Sequence, residues 1–163
     1  MHIRKFKKYH FIDSFNLSKL VNLDRDICLI WRSKYNDENI ENVVKTANFC
    51  KKNNRKLYLA NNFKLAIKLN LDGVYISAHN KSVIHNCYLL KRSFKIIGSA
   101  HTQYEIINKK YQRVEELFLS PIFKKKASFP LGLHKVKVLV DLFDGLKIAL
   151  GGINEKNIKL LNL

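Results

Sequence analysis

The chain has 163 residues, of which 47% are hydrophobic and 11% aromatic; this fits one folded domain spanning residues 1–163 and excludes a disordered polypeptide. No apolar run has the length of a membrane span or a secretion signal, so we expect a cytoplasmic protein that does not enter a membrane. The 30 basic and 13 acidic residues give a net charge of +17, which favours anionic partners, although the lysine-rich excess is also typical of an AT-rich coding sequence. Three cysteines without CxxC spacing are expected to be buried and reduced: Cys28, Cys50 and Cys87.

Short apolar segments predict seven strands, separated by stretches of helical period. The strands are expected at residues 9–12, 27–31, 56–60, 73–77, 95–99, 116–120 and 147–150. The clearest helix follows the second strand, with one apolar stripe formed by Ile40, Val43, Val44, Ala47 and Cys50. Thr102 and Glu105 have the spacing of a capping box, and Asn154 is a candidate N-cap for a last helix.

Alternating strands and helices predict an α/β fold with a parallel sheet. Two architectures satisfy this pattern, an open doubly wound sheet and a (β/α)8 barrel, and both place their chemistry at the carboxyl ends of the strands. Because a barrel typically needs about 250 residues, length alone favours the open parallel α/β sheet.

Two positively charged side chains follow the second predicted strand. Arg32 and Lys34 are two residues apart and share one side if the strand continues, so they are candidates for binding an anion. In a chain with 30 basic residues, the alternative is an ordinary charged surface.

A pair of glycines follows the seventh strand. Gly151 and Gly152 would let backbone N–H groups approach a phosphate, with the N-terminus of the next helix adding positive potential. The alternative is a tight turn that only requires positive φ.

Two further strand ends carry polar residues. A long loop over residues 119–132 contains Lys124, Lys125 and Lys126, which could reach a polyanion. Ser99 and His101 place a hydroxyl and an imidazole at the end of the fifth strand.

Four ordered segments together resemble the thiamine-phosphate synthase and thiazole tautomerase (TenI-like) superfamily. They are KIIGSAHT at 95–102, the loop SPIF to PLG at 120–132, IALGGINEKN at 148–157 and NLDGVYIS at 70–77. The resemblance implies a TIM (β/α)8-type barrel, with seven strands recognisable and the eighth missing. Pro121 before Ile122 matches the synthase branch rather than the tautomerase.

The synthases join hydroxymethylpyrimidine diphosphate to thiazole phosphate and release pyrophosphate. The resemblance assigns Arg32 and Lys34 to pyrophosphate, Gly151 and Gly152 to the thiazole phosphate, and Ser99 and His101 to the reacting site. We expect Lys124, Lys125 and Lys126 to contribute to phosphate binding.

The chain departs from the family pattern at the positions that bind a metal ion in the family. Two aspartates that bind Mg²⁺ in the family are replaced by Asn61 and Asn80, and Ile30 replaces a glutamine of the pyrophosphate segment. Since Mg²⁺ usually requires carboxylates, we expect these positions to bind it weakly, and lysines to stand in for the metal.

The sequence therefore predicts a divergent thiamine-phosphate synthase, a transferase of thiamine biosynthesis acting on small phosphorylated substrates. The first alternative is a non-catalytic relative that binds thiamine phosphate or a phosphorylated precursor. A nucleic-acid-binding module is less favoured, because the lysines are dispersed. A barrel without its last strand would have open edges; association in a homo-oligomer and an incomplete gene product are two explanations that the sequence leaves open.

Overall fold

A computed structural model of the chain describes residues 7–33, 37–123, 130–154 and 156–161. Lys34 and Lys124–126 therefore lie outside the described residues. The strands are β1 (Lys8–Ile12), β2 (Ile27–Trp31), β3 (Leu57–Ala60), β4 (Gly73–Ile76), β5 (Lys95–Ala100), β6 (Glu116–Leu119) and β7 (Leu146–Ala149). The α-helices are α1 (Leu17–Val21), α2 (Asp37–Lys52), α3 (Phe63–Lys68), α4 (Gln103–Tyr111) and α5 (Gly132–Val140).

The described strands lie where the sequence predicts them, with ends that differ by at most one residue. Every residue of β3, β4 and β6 is buried. Such continuous burial is typical of parallel strands that are covered on both faces, and it explains why the strands appear in the sequence as unbroken apolar runs.

The chain divides into two compact units. The first contains the residues up to Tyr75 together with Leu90–Phe94. Its strands β1 to β4 pair in chain order and in parallel, with Tyr9 opposite Cys28, Ile30 opposite Tyr58 and Leu59 opposite Val74. The core of this unit is formed by buried side chains that include Leu29, Ile30, Trp31, Leu57, Tyr58 and Leu59.

The second unit contains Ile76–Leu89 and the chain from Lys95 onwards. Here β5, β6 and β7 pair in parallel and in chain order, with Ser99 opposite Phe118 and Leu119 opposite Ala149. Parallel pairing brings the carboxyl ends of these three strands to one edge of their sheet. The candidate residues Ser99, His101, Gly151 and Gly152 lie at or after these strand ends.

Two predicted helices form as expected. In α2 the stripe is buried at Val43, Ala47 and Cys50. Helix α4 begins with the predicted capping box, in which the Thr102 hydroxyl accepts from Glu105 N, and the Glu105 carboxylate accepts from Thr102 N.

Three local features differ from the predictions. The predicted last helix is a four-residue 3₁₀ helix at Ile158–Leu161, and a second 3₁₀ helix at Ile84–Cys87 was not predicted. Cys28 and Cys50 are buried thiols as predicted, whereas Cys87 is exposed; its thiol donates to the Ile84 carbonyl oxygen at 2.8 Å. No helix among the described residues is long and apolar enough to cross a membrane.

Candidate functional site

The loops after β6 and β7 are joined by two backbone hydrogen bonds. Ile122 N donates to the Leu150 carbonyl oxygen, and Phe123 N donates to the Gly151 carbonyl oxygen, both at 3.1 Å. The structure thus brings together two segments that were identified separately in the sequence, the proline-containing loop and the paired glycines.

The start of α5 also returns to the proline-containing loop. Leu131 N donates to the Pro121 carbonyl oxygen at 2.7 Å, and Gly132 N donates to the Ile122 carbonyl oxygen at 3.2 Å. Residues 121–123 are therefore fixed from two sides, by the glycine turn and by the amino end of α5.

The glycine turn requires glycine for two reasons. Gly151 and Gly152 have φ values of +91° and +71°, which side chains disfavour. A Cβ on Gly152 would lie 2.6 Å from the Phe123 carbonyl oxygen, and a Cβ on Gly151 would lie 2.9 Å from Pro121 Cα. Among the described residues, neither glycine N–H donates a backbone hydrogen bond.

Asn154 caps the segment after the glycine turn as predicted, because its side chain accepts hydrogen bonds from Lys156 N and Asn157 N. The element that follows is a four-residue 3₁₀ helix at Ile158–Leu161. The predicted contribution of this segment to phosphate binding stays a prediction. The Asn157 amide donates to the Gly152 carbonyl oxygen at 2.8 Å and supports the turn from behind.

His101 is held at the carboxyl end of β5 by two neighbours. Its backbone N donates to the Glu105 carboxylate at 2.6 Å, and its Nδ1 contacts the Ser120 carbonyl oxygen. Because a carbonyl oxygen only accepts, Nδ1 is the donor in this contact. Ser99 is buried two residues earlier on the same strand.

A second serine–histidine pair follows β4 and was not predicted. The Ser77 hydroxyl lies 3.3 Å from His79 Nε2, with Ser77 buried and His79 exposed. The alternation of the strand could have identified it, because Ser77 and His79 are two residues apart at a strand end, the pattern shared by Ser99 and His101.

In the first unit, Arg32 directly follows the carboxyl end of β2, where its backbone N donates to the Ile12 carbonyl oxygen at 2.7 Å and its side chain is exposed. Ile30, two residues earlier, is fully buried. Asn61 follows β3, has a φ of +57° and donates its backbone N–H to Tyr75. The joint action predicted for Arg32 and Lys34 stays a prediction.

The residues at the two predicted metal positions do not fit a carboxylate-held Mg²⁺. Asn61 and Asn80 carry no charge, and the Asn80 side-chain oxygen accepts a hydrogen bond from Ser82 N at 2.9 Å. The described residues contain no group of three or more His, Cys, Asp or Glu that could hold a metal ion. The donor set is therefore poor for a hard divalent cation.

Comparison with known proteins identifies the family of the chain. A family model described as thiamine monophosphate synthase matches residues 27–162. The chain belongs to the thiamine monophosphate synthase family. A curated thiamine-phosphate synthase from Prochlorococcus marinus subsp. pastoris is 29% identical over 128 residues, which cover 76% of this chain and 36% of that relative. The chain thus spans little more than a third of the length of this family member.

The fold agrees with that membership. The solved structure of thiamine phosphate pyrophosphorylase from Pyrococcus furiosus superposes with a TM-score of 0.63 at 15% identity, covering 93% of this chain and 78% of that chain. The predicted fold class, an α/β fold of the TIM-barrel type with seven recognisable strands, is confirmed.

Proposed function

We propose that this chain is a thiamine-phosphate synthase, which joins hydroxymethylpyrimidine diphosphate to thiazole phosphate and releases pyrophosphate. The observation that carries the proposal is the contact between residues 121–123 and the Gly151–Gly152 turn. These are two of the segments that resemble the family, and they meet after the carboxyl ends of β6 and β7. Membership of the family supports the same reaction.

The reaction needs positive charge where pyrophosphate leaves. The bond between the pyrimidine methylene carbon and the diphosphate oxygen breaks, with its electrons going to oxygen, and the thiazole nitrogen then bonds to the methylene carbon. In the proposal, Arg32 and Lys34 stabilise the departing pyrophosphate, with Lys124, Lys125 and Lys126 adding to the potential. Gly151 and Gly152 hold the thiazole phosphate through their N–H groups.

Ser99 and His101 complete the proposed site in the second unit. The contact of His101 Nδ1 with Ser120 fixes the ring, so that Nε2 is the nitrogen left to form a hydrogen bond with substrate. Because the residues at 61 and 80 do not fit Mg²⁺, no step is assigned to a metal, and the cationic side chains supply the electrostatic stabilisation.

The test is incubation with both substrates, with Mg²⁺ or with EDTA, and detection of thiamine phosphate by mass. We expect product, and turnover that persists in EDTA. Product that disappears in EDTA would show that lysines do not replace the metal, although the synthase assignment would survive.

A matched pair of variants tests the assigned cation. Arg32→Gln should lower turnover about a hundredfold, because one stabilising charge at the leaving group is lost. Arg25→Gln should leave turnover unchanged, since Arg25 is exposed in the turn before the amino end of β2. Equal effects of the two substitutions would contradict the role of Arg32.

One observation favours a second candidate, a non-catalytic protein that binds thiamine phosphate or a phosphorylated precursor. The carboxamide at Asn80 is already engaged by Ser82 N and carries no charge. Thermal stabilisation by thiamine phosphate without any product in the same incubation would select this candidate.

A further inference from the structure

Helix α4 contains a lysine that is completely buried. The Lys109 side chain has 0% exposure, and its ammonium lies 2.9 Å from the Asn80 carbonyl oxygen, 2.8 Å from the Gln112 side-chain oxygen and 3.5 Å from the Ala78 carbonyl oxygen. A buried charge is costly unless hydrogen bonds satisfy it. Two of these oxygens belong to the backbone of the loop after β4.

Gln112, one turn further along the chain, binds the same loop. Its side-chain nitrogen donates to the Asn80 carbonyl oxygen at 2.9 Å and to the Ser82 carbonyl oxygen at 2.8 Å, while its oxygen accepts from Lys109. The polar groups of this side chain are thus used in full. The Asn80 carbonyl oxygen receives two donors at once.

The space for the lysine comes from a glycine on the neighbouring strand. A Cβ on Gly98 of β5 would lie 3.2 Å from Lys109 Cδ and 3.1 Å from a Val114 methyl group. The absence of a side chain at position 98 therefore lets the apolar stem of Lys109 pass beneath β5 to the loop.

We propose that Lys109 and Gln112 are positioning residues: the buried ammonium acts as an internal cation that, together with the Gln112 amide, fixes the backbone of residues 78–82 and so sets where Asn80 and His79 stand. Any effect of this position on catalysis rests on the proposed function, whereas the description of the loop geometry is independent of it.

The surroundings of the ammonium agree with this role. Burial lowers the pKa of Lys109 to about 8, and Glu105 on the same helix opposes the shift. His85 lies on the other side of Gln112, with Nε2 2.9 Å from the Gln112 carbonyl oxygen, and burial lowers its pKa, with Arg113 and Lys109 adding to the effect. The hydrogen bond to the Gln112 carbonyl oxygen opposes the shift at His85.

Amide hydrogen exchange tests the inference in the full chain at pH 7. The reporters are the Asn80 N–H, bonded to Ser77, and the Ser82 N–H, bonded to the Asn80 side chain. In Lys109→Met both should exchange about tenfold faster or more, because charge-assisted hydrogen bonds to the loop are lost, while amides of β6 keep their protection. Lys110→Met is the matched control, since Lys110 is exposed and pairs with Asp144 at the surface.

Two further measurements keep the inference falsifiable if Lys109→Met does not fold. Gln112→Leu removes both amide donors to the loop and should also accelerate exchange at Ser82. In Lys109→Ala, added ethylammonium should restore slow exchange and ethanol should not, because the proposal requires a cation at that point. Unchanged exchange in a folded Lys109 or Gln112 variant overturns it.

Activity separates the two proposals. If the wild-type chain makes no thiamine phosphate from the two substrates, the proposed function fails, and the exchange rates still decide the positioning role.

Discussion

Two glycines with nearly the same backbone conformation lie in different surroundings. Gly132 has a φ of +74° and, among the described residues, no heavy atom within 4 Å of a built Cβ, whereas Gly152 has a φ of +71° and a built Cβ 2.6 Å from the Phe123 carbonyl oxygen. Comparing them separates the cost of the backbone conformation from the cost of steric overlap.

We predict that Gly132→Ala lowers the free energy of unfolding by about 1 kcal/mol, the cost of a side chain in the left-handed region. Gly152→Ala should lower it by about 3 kcal/mol, because the loop after β6 must also move. Urea denaturation measures both values. Equal losses would mean that the contact between Gly152 and Phe123 does not constrain the turn.

At the scale of single residues, the sequence predicts those functional candidates that are marked by residue type and spacing. The paired glycines were identified because few roles require two in succession at a strand end. Lys109 could not be identified in the same way, since a lysine beside Lys110 on a helix normally indicates an exposed face. Its burial depends on the space at Gly98, which only the folded chain reveals.

Helix α4 begins with a complete capping box. The Thr102 hydroxyl accepts from Glu105 N at 3.3 Å, and the Glu105 carboxylate accepts from Thr102 N at 3.1 Å and from His101 N. The cap therefore also positions the candidate histidine.

Removing the cap should destabilise the chain measurably. We predict that Thr102→Ala lowers the free energy of unfolding by about 1 kcal/mol, because the N–H groups of the first turn lose their acceptor. Thr102→Ser, which keeps the hydroxyl, should retain most of the stability. Thermal melts of the wild type and the two variants measure these differences. A Ser variant as unstable as the Ala variant would assign the loss to packing of the Thr methyl group.

At the scale of elements, the strands were predictable because burial on both faces makes each a short apolar run between polar segments. The cap of α4 was predictable for a similarly local reason, the spacing of Thr102 and Glu105, whereas the caps of α1 by Asn16 and of α3 by Asn62 were not predicted. The turn at 158–161 was not, since Asn154 has the sequence of a cap whether a full helix or a single 3₁₀ turn comes after it. Tertiary contacts decide how far such a turn continues.

The free energy of unfolding of the whole chain should depend on pH through the buried Lys109. The folded pKa of Lys109 is about 8, below its ordinary value of 10.5. Between these values the unfolded chain binds one proton more than the folded chain, so the Lys109 contribution to the free energy of unfolding rises with pH. The rise is about 3 kcal/mol over this interval.

We predict that the difference in the free energy of unfolding between the wild-type chain and Lys109→Met shifts in favour of the wild type from pH 8 to 10.5. Chemical denaturation across this range measures it. Lys8 and Lys95, whose carboxylate partners raise their pKa values, are common to both proteins and cancel in the difference. A pH-independent difference would show that Lys109 keeps an ordinary pKa in the folded chain.

For the whole molecule, alternation of strands and helices predicted the α/β class but left two architectures open, and length favoured the wrong one. The barrel-type fold was predicted by the order of several loose motifs, each at a strand end. Periodicity records which residues are buried, whereas the motifs record the loops that a particular fold places at the ends of its strands.

Residues 121–123 join two parts of the second unit: they accept hydrogen bonds from Leu131 and Gly132 at the start of α5, and they donate hydrogen bonds to Leu150 and Gly151 after β7. Because the same three residues carry both sets of bonds, a displacement of the glycine turn is passed directly to the amino end of α5. The two segments should therefore open together rather than one at a time when the native state fluctuates.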